Sequence, residues 1–174
     1  QFAGASQSAT FNSSQLSAEA ITLSETAEGI STLNIKLDTS SANFSNITAT
    51  TFDSGSDKLN IIGTAINETI VSSNIASEIN GNGGNDNITG GTGNDVISGG
   101  AGNDTLTGGT GNDTFLVTSG TDSILDLTSA DTLNVQSAPQ QMSVIFPNLL
   151  LQISQKIMGL QTLLLRQMAE RLIW

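Results

Sequence analysis

The chain has 174 residues, with 16 Asp+Glu against 5 Lys+Arg and a formal net charge of −11. That length suits one domain or one domain with an appendage, and the acid excess repels phosphate backbones, so nucleic-acid binding is not expected. With no His and no Cys, the sequence has no Ser-His-Asp or Cys-His relay, no disulfide framework and no His/Cys metal site, which leaves only oxygen ligands for a metal.

Charge and residue types are unevenly distributed. Residues 1–137 carry 15 acids and 2 bases, Lys36 and Lys58, whereas residues 138–174 carry one acid, Glu170, and 3 bases, Lys156, Arg166 and Arg171. Both prolines and all three methionines lie in the second stretch, and of the 18 glycines only Gly159 does. The composition thus divides the chain into 1–60, 61–137 and 138–174. It begins at Gln1 rather than Met, which reads as a fragment or processed product, and no basic, apolar secretory signal opens it. No run of about 18 apolar residues could span a membrane as a helix.

Residues 1–60 read as β-rich. Ile21-Thr22-Leu23-Ser24 and Leu33-Asn34-Ile35-Lys36-Leu37 alternate apolar with polar, and Leu59-Asn60-Ile61 begins another such run. Gln15–Ala20 is expected as a short helix, and Asp38–Asn43 as turn or exposed strand.

From Gly81 a nine-residue unit repeats. Gly90-Gly91-Thr92-Gly93-Asn94-Asp95-Val96-Ile97-Ser98 is followed by equivalent units starting at Gly99 and Gly108, and preceded by a near-perfect one at Gly81. The form is G-G-x-G-x-D-x-U-x, with U large and apolar. The apolar place recurs at Ile61, Ile70, Ile79, Ile88, Ile97, Leu106, Phe115, Ile124 and Leu133. The acid two residues before it recurs at Glu68, Asp86, Asp95, Asp104, Asp113, Asp122 and Asp131, and is lost at Leu59 and Ser77.

The spacing has a physical reading. Six residues make a tight turn in which glycine supplies backbone angles that other residues avoid. The three residues x-U-x then form a short strand whose middle side chain points inward. Two units make one coil, so Asp86 lies over Asp104, Asp95 over Asp113, Asp104 over Asp122, and Asp113 over Asp131. Stacked carboxylates repel unless a divalent cation lies between them. Calcium accepts 6–8 oxygen ligands with loose geometry, and glycine turns expose carbonyl oxygens as well. Two apolar ladders alone are too thin to offset the chain entropy of so many glycines, so the metal is expected to contribute to folding. On this reading the calcium-competent coils run from Gly81 to Asp131.

These units resemble the hemolysin-type calcium-binding (RTX) nonapeptide family, strictly over 81–116 and loosely over 61–134. The resemblance implies an all-β fold, a parallel β-roll that folds on extracellular Ca2+, and export by type I secretion machinery that reads an uncleaved C-terminal signal. By the same analogy Asp86, Asp95, Asp104 and Asp113 supply side-chain oxygens. Gly84, Gly91, Gly93, Gly100, Gly102, Gly109 and Gly111 supply backbone oxygens, and Asp122 and Asp131 cap the last sites.

The Ser/Thr/Asn-rich, Lys-poor first segment is similar to bacterial surface-layer or adhesin-type RTX proteins, which implies a non-enzymatic, secreted or cell-surface protein that self-associates in a layer. The alternative is the C-terminal calcium and export module of a larger enzyme or toxin, such as a protease, lipase or hemolysin. This chain itself lacks the HExxH zinc site and the G-x-S-x-G elbow of such enzymes. In the tail, Leu149, Ile153, Ile157, Leu160, Leu164, Met168 and Leu172 recur at helical spacing, which predicts an amphipathic helix. Three readings of 138–174 stay open: a secretion signal, a helix packed on the roll, or a non-native reading frame.

Overall fold

A computed structural model describes residues 7–16, 21–23, 31–49, 57–136 and 142–145. Alternating side chains set the strands, and every strand pair among these residues is parallel. The first sheet stacks Gln7–Asn12, Ser31–Lys36, Lys58–Ile62, Ser77–Asn80, Val96–Ser98, Thr114–Val117 and Thr132–Val135, in that order. The second stacks Ser41–Asn43, Thr69–Val71, Asn87–Thr92, Thr105–Thr110, Gly120–Ile124 and Met142–Ile145. Ile21–Leu23 pairs separately with Ile47–Ala49. Successive strands along the chain alternate between the two main sheets from Thr69 onward, which is the winding of a β-roll.

The nine-residue period becomes two ladders of apolar side chains. In the first sheet Ile35, Ile61, Ile79, Ile97, Phe115 and Leu133 stand side by side. In the second, Ala42, Ile70, Ile88, Leu106 and Ile124 do the same. All but Leu133 are buried, and Leu133 packs on the edge of the same cluster. One apolar residue at the centre of each short strand therefore suffices to fix register, because a slip of one residue would turn the whole ladder outward.

The stack reaches further upstream than the nine-residue period does. Thr32 pairs with Lys58, Gln7 with Ser31 and Ser41 with Thr69, so these coils are longer than those downstream. They also bury more: Leu33, Ile35, Leu37, Ala42, Phe44 and Ile47 belong to the same apolar cluster as the repeats. Of the short helix expected over Gln15–Ala20, the chain forms Ser13–Leu16, and 17–20 lie outside the described residues. Asp38 fixes its start by accepting from the Ser14 N–H at 3.0 Å and the Ser13 hydroxyl at 2.7 Å.

The tail differs from its expectation at its first described residues. Met142–Ile145 is a strand, paired with Gly120–Ser123, so the second sheet continues past the composition break. An open parallel edge presents unpaired N–H and C=O groups, and an extended segment satisfies them whatever its composition. The helical face expected from Leu149 onward lies outside the described residues. Among the described residues, no helix is long and apolar enough to cross a membrane.

The ladder makes Ile97 a sensitive position, since it is fully buried between Ile79 and Phe115. Ile97→Ala is expected to lower the unfolding free energy in calcium by about 2–4 kcal/mol. Val135→Ala, at a side chain 46% exposed, should change it by less than about 0.5 kcal/mol. Urea denaturation followed by circular dichroism measures both, and equal effects would contradict the placement of the ladder.

Candidate metal centre

Each glycine-rich turn connects one sheet to the other, and the turns form two stacks. One carries Glu68, Asp86, Asp104 and Asp122, the other Ser77, Asp95, Asp113 and Asp131. All of these but Asp131 are buried. The expected pairs are therefore brought together, each across a separation of 18 residues: the Asp86 N–H donates to Oδ1 of Asp104 at 2.9 Å, and the Asp95 N–H to Oδ1 of Asp113 at 2.9 Å. The Asp104 N–H reaches Oδ1 of Asp122 at 3.0 Å, and the Asp113 N–H reaches Oδ1 of Asp131 at 2.9 Å. Main-chain carbonyls of the same aspartates accept from the next coil, as Asp86 does from Thr105 at 2.8 Å. One oxygen of each carboxylate and its own carbonyl are thus engaged in holding coils together.

The second oxygen is different. Oδ2 of Asp86, Asp95 and Asp104, and Oε2 of Glu68, are buried without a hydrogen-bond partner. The first glycine of each unit makes room for this oxygen: a methyl group on Gly99 would overlap Oδ2 of Asp104. Later glycines serve the backbone. Gly91 and Gly93 have φ of 111° and 140°, a region that disfavours side chains. The carbonyl oxygens of Gly84, Gly91, Gly93 and Gly102 project onto the α-carbons of Gly102, Gly109, Gly111 and Gly120 respectively, where a side chain would collide with them. Gly100 differs, because its carbonyl accepts from the Thr118 hydroxyl at 2.6 Å and the Ser119 hydroxyl at 3.3 Å. Gly109 and Gly111 likewise have positive φ, 100° and 136°.

This donor set fits a hard divalent cation. A buried, unpartnered carboxylate oxygen is costly unless a positive charge meets it. The only basic residues before position 138 are Lys36 and Lys58, and both are exposed. Among the described residues no three acidic side chains converge, so a metal here would combine one or two carboxylates with backbone carbonyls. That mixture suits Ca2+.

Two features were not singled out in the sequence. The Asn before each Asp builds a second series of cross-coil bonds: Oδ1 of Asn67 accepts from the Asn85 N–H, and Oδ1 of Asn85 from the Asn103 N–H, each at 2.8 Å. Oδ1 of Asn94 accepts from the Asn112 N–H, and Oδ1 of Asn103 from the Thr121 N–H, again at 2.8 Å. The recurring Asn-Asp pair was the available signal. Asp126, which lies off the period, caps a turn by accepting from the Gly108 N–H at 2.9 Å and the Gly109 N–H at 2.7 Å. Asp131 differs from its expected partners, since Oδ2 accepts from the Thr128 N–H at 2.7 Å and hydroxyl at 2.9 Å. Both its oxygens are taken, which makes it a cap for the stack.

Protonation follows from burial. Desolvation pushes the Asp95 carboxyl up to about 7, with the Asp113 charge acting the same way. It pushes Asp86 up to about 6, aided by Glu68 and Asp104, and Asp122 to about 6, aided by Asp104. Asp104 and Asp113 are raised as well, again chiefly by burial. At Asp131 burial acts upward but the bonds from Asp113 and Thr128 prevail, and its carboxyl lies below the ordinary value.

Raised carboxyl values mean that the metal-free fold binds more protons than the unfolded chain. Their favourable contribution is complete below the ordinary value of 3.8 and is lost as pH rises through about 6 to about 7. In chelator, acidification from about pH 8 to pH 5 is therefore expected to increase β-structure. Calcium affinity should weaken over the same interval, because protons and the cation compete for the same oxygens. Circular dichroism and calcium titration at several pH values check both, and a metal-free signal independent of pH would refute the first.

Asp104 occupies two interfaces, one with Asp86 and one with Asp122. Asp104→Ala is expected to disturb both, lowering the number of calcium ions bound per chain in equilibrium dialysis. An unchanged number would count against the stack as a metal site.

Residues 80–115 match the RTX calcium-binding nonapeptide repeat in four copies. No curated protein and no solved structure gives a significant match to the chain. The match falls on the turns whose buried carboxylate oxygens lack partners, and so the stretch from 80 to 115 is a run of hemolysin-type RTX repeats whose ion is Ca2+.

Proposed function

We propose that this chain is a calcium-stiffened structural β-roll of a larger exported or surface-layer protein, with no catalytic role of its own. The carrying observation is the pair of buried carboxylate stacks with unpartnered oxygens and, among the described residues, no basic side chain to meet them. Such a stack opposes closure when calcium is scarce and favours it when calcium is plentiful. Extracellular calcium modules work at dissociation constants of about 10⁻⁴–10⁻³ M. A chain with that threshold stays open during synthesis and export and closes outside the cell, and RTX repeats are typical of secreted proteins. The lack of His and Cys removes the side chains on which most hydrolytic relays depend. Among the described residues Gln7–Asn12 and Thr132–Val135 each pair on one side only, and such an edge offers a surface for self-association in a layer.

Circular dichroism across a calcium titration is the test. β-Structure is expected to be low in chelator and to form with a midpoint on the order of 10⁻⁴–10⁻³ M. Full β-structure in chelator would overturn the calcium-dependent fold. A midpoint below about 10⁻⁶ M, in the range of intracellular sensors, would overturn the export reading.

A further inference from the structure

Upstream of the matched repeats, residues 63–71 read Gly-Thr-Ala-Ile-Asn-Glu-Thr-Ile-Val. The unit keeps the first glycine, the asparagine and the apolar residue of the repeat, but lacks the other two glycines and carries Glu in place of Asp. Its turn is closed differently. Thr64 donates to Oε1 of Glu68 from its N–H, at 3.1 Å, and from its hydroxyl.

The unit nevertheless docks on the next coil as the strict units do. Oδ1 of Asn67 accepts from the Asn85 N–H at 2.8 Å, and the Glu68 N–H donates to Oδ1 of Asp86 at 2.8 Å. The Ile66 carbonyl projects onto the α-carbon of Gly84, as the Gly84 carbonyl does onto Gly102. Glu68 is 2% exposed and its Oε2 has no partner; Oδ2 of Asp86, also 2% exposed, has none either. The Asp86 carboxylate thus sits against the backbone of Glu68.

The opposite stack forms the same boundary with a neutral residue on its upstream side. There Ser77 takes the acid's place, its N–H donating to Oδ1 of Asp95 at 2.7 Å. Its hydroxyl donates to the Ile75 carbonyl at 2.7 Å and lies 2.8 Å from the Ser72 hydroxyl. That boundary therefore holds one buried carboxylate, Asp95, with one unpartnered oxygen. The other starts with two buried carboxylates and two unpartnered oxygens.

We propose that Glu68 and Asp86 hold a further Ca2+ between units 63–71 and 81–89, of which only the second lies within the matched repeats. The backbone turn at Ile66 supplies the carbonyl side of the site. Glutamate reaches one methylene further than aspartate, which suits a turn that Thr64 rather than glycine closes. The inference rests on calcium binding by the strict repeats, and its test separates the two.

Calorimetric titration of the full chain with CaCl2 gives the number of ions bound. Glu68→Gln preserves shape and removes the charge; it is expected to bind one ion fewer than the unsubstituted chain, with the same β-structure in saturating calcium. Ser77→Ala should leave the number unchanged. If Glu68→Gln binds as many ions as the unsubstituted chain while Asp104→Ala binds fewer, the Glu68 site is refuted and the repeat sites stand. If the unsubstituted chain binds no calcium, both fall. Glu68→Asp guards against a folding defect: restoring the carboxylate should restore the ion at weaker affinity, and failure to restore it in a folded chain refutes the site.

Discussion

Repulsion between stacked carboxylates is the constraint around which this roll is built. Parallel strands lie about 4.8 Å apart, and two like charges at that spacing repel by roughly 3–4 kcal/mol at an effective dielectric of about 20. The chain repeats this arrangement along two turn stacks, with Asp86, Asp95, Asp104, Asp113 and Asp122 all buried. Such a stack persists only if its charges are removed or met. Protonation removes them at acid pH, and Ca2+ meets them at neutral pH. The same geometry that makes the metal-free roll costly makes it a receptor for ions.

The rest of the turn serves that stack. Each aspartate divides its oxygens: Oδ1 accepts from the coil before it, and in Asp86, Asp95 and Asp104 Oδ2 is left over. The first glycine leaves space beside Oδ2. The asparagine one residue earlier reaches the opposite way, its Oδ1 accepting from the coil that follows. Adjacent side chains thus clamp each turn to both neighbours, in opposite directions along the stack. This fixes the height of successive turns before any ion is considered.

How much of this was legible depends on period. Ile97 and Asp104 each stand in a series with constant spacing, and from that spacing alone the apolar ladders and the partners Asp86, Asp104 and Asp122 follow. The asparagines stood in the same register, but nothing in composition says that an amide will accept from a main-chain N–H of the next coil. Further upstream the spacing fails: Thr32 lies beside Lys58 and Ser41 beside Thr69. Alternation still marked Leu33–Leu37 as extended. A strand pattern carries no information about which strand it pairs with once the intervening chain varies in length, so membership of the same stack was hidden. Met142–Ile145 was hidden for the converse reason, since a composition change at 138 does not prevent an edge from capturing the next extended segment.

Coil length and ion dependence are two sides of one compromise. The strict nine-residue units each bury one large apolar side chain, Ile88, Ile97, Leu106 or Phe115. One such side chain per nine residues is a thin core against the conformational entropy of ordering them. The longer coils upstream bury Leu33, Ile35, Leu37, Ala42, Phe44 and Ile47 within a short span. Between those coils and the strict units, Leu59 and Ser77 stand where the repeats carry Asp. The proposed function therefore has stabilisation pass along the chain from apolar burial to metal coordination. Glu68 lies at the crossover, between upstream neighbours packed in the apolar core and downstream neighbours that carry buried carboxylates.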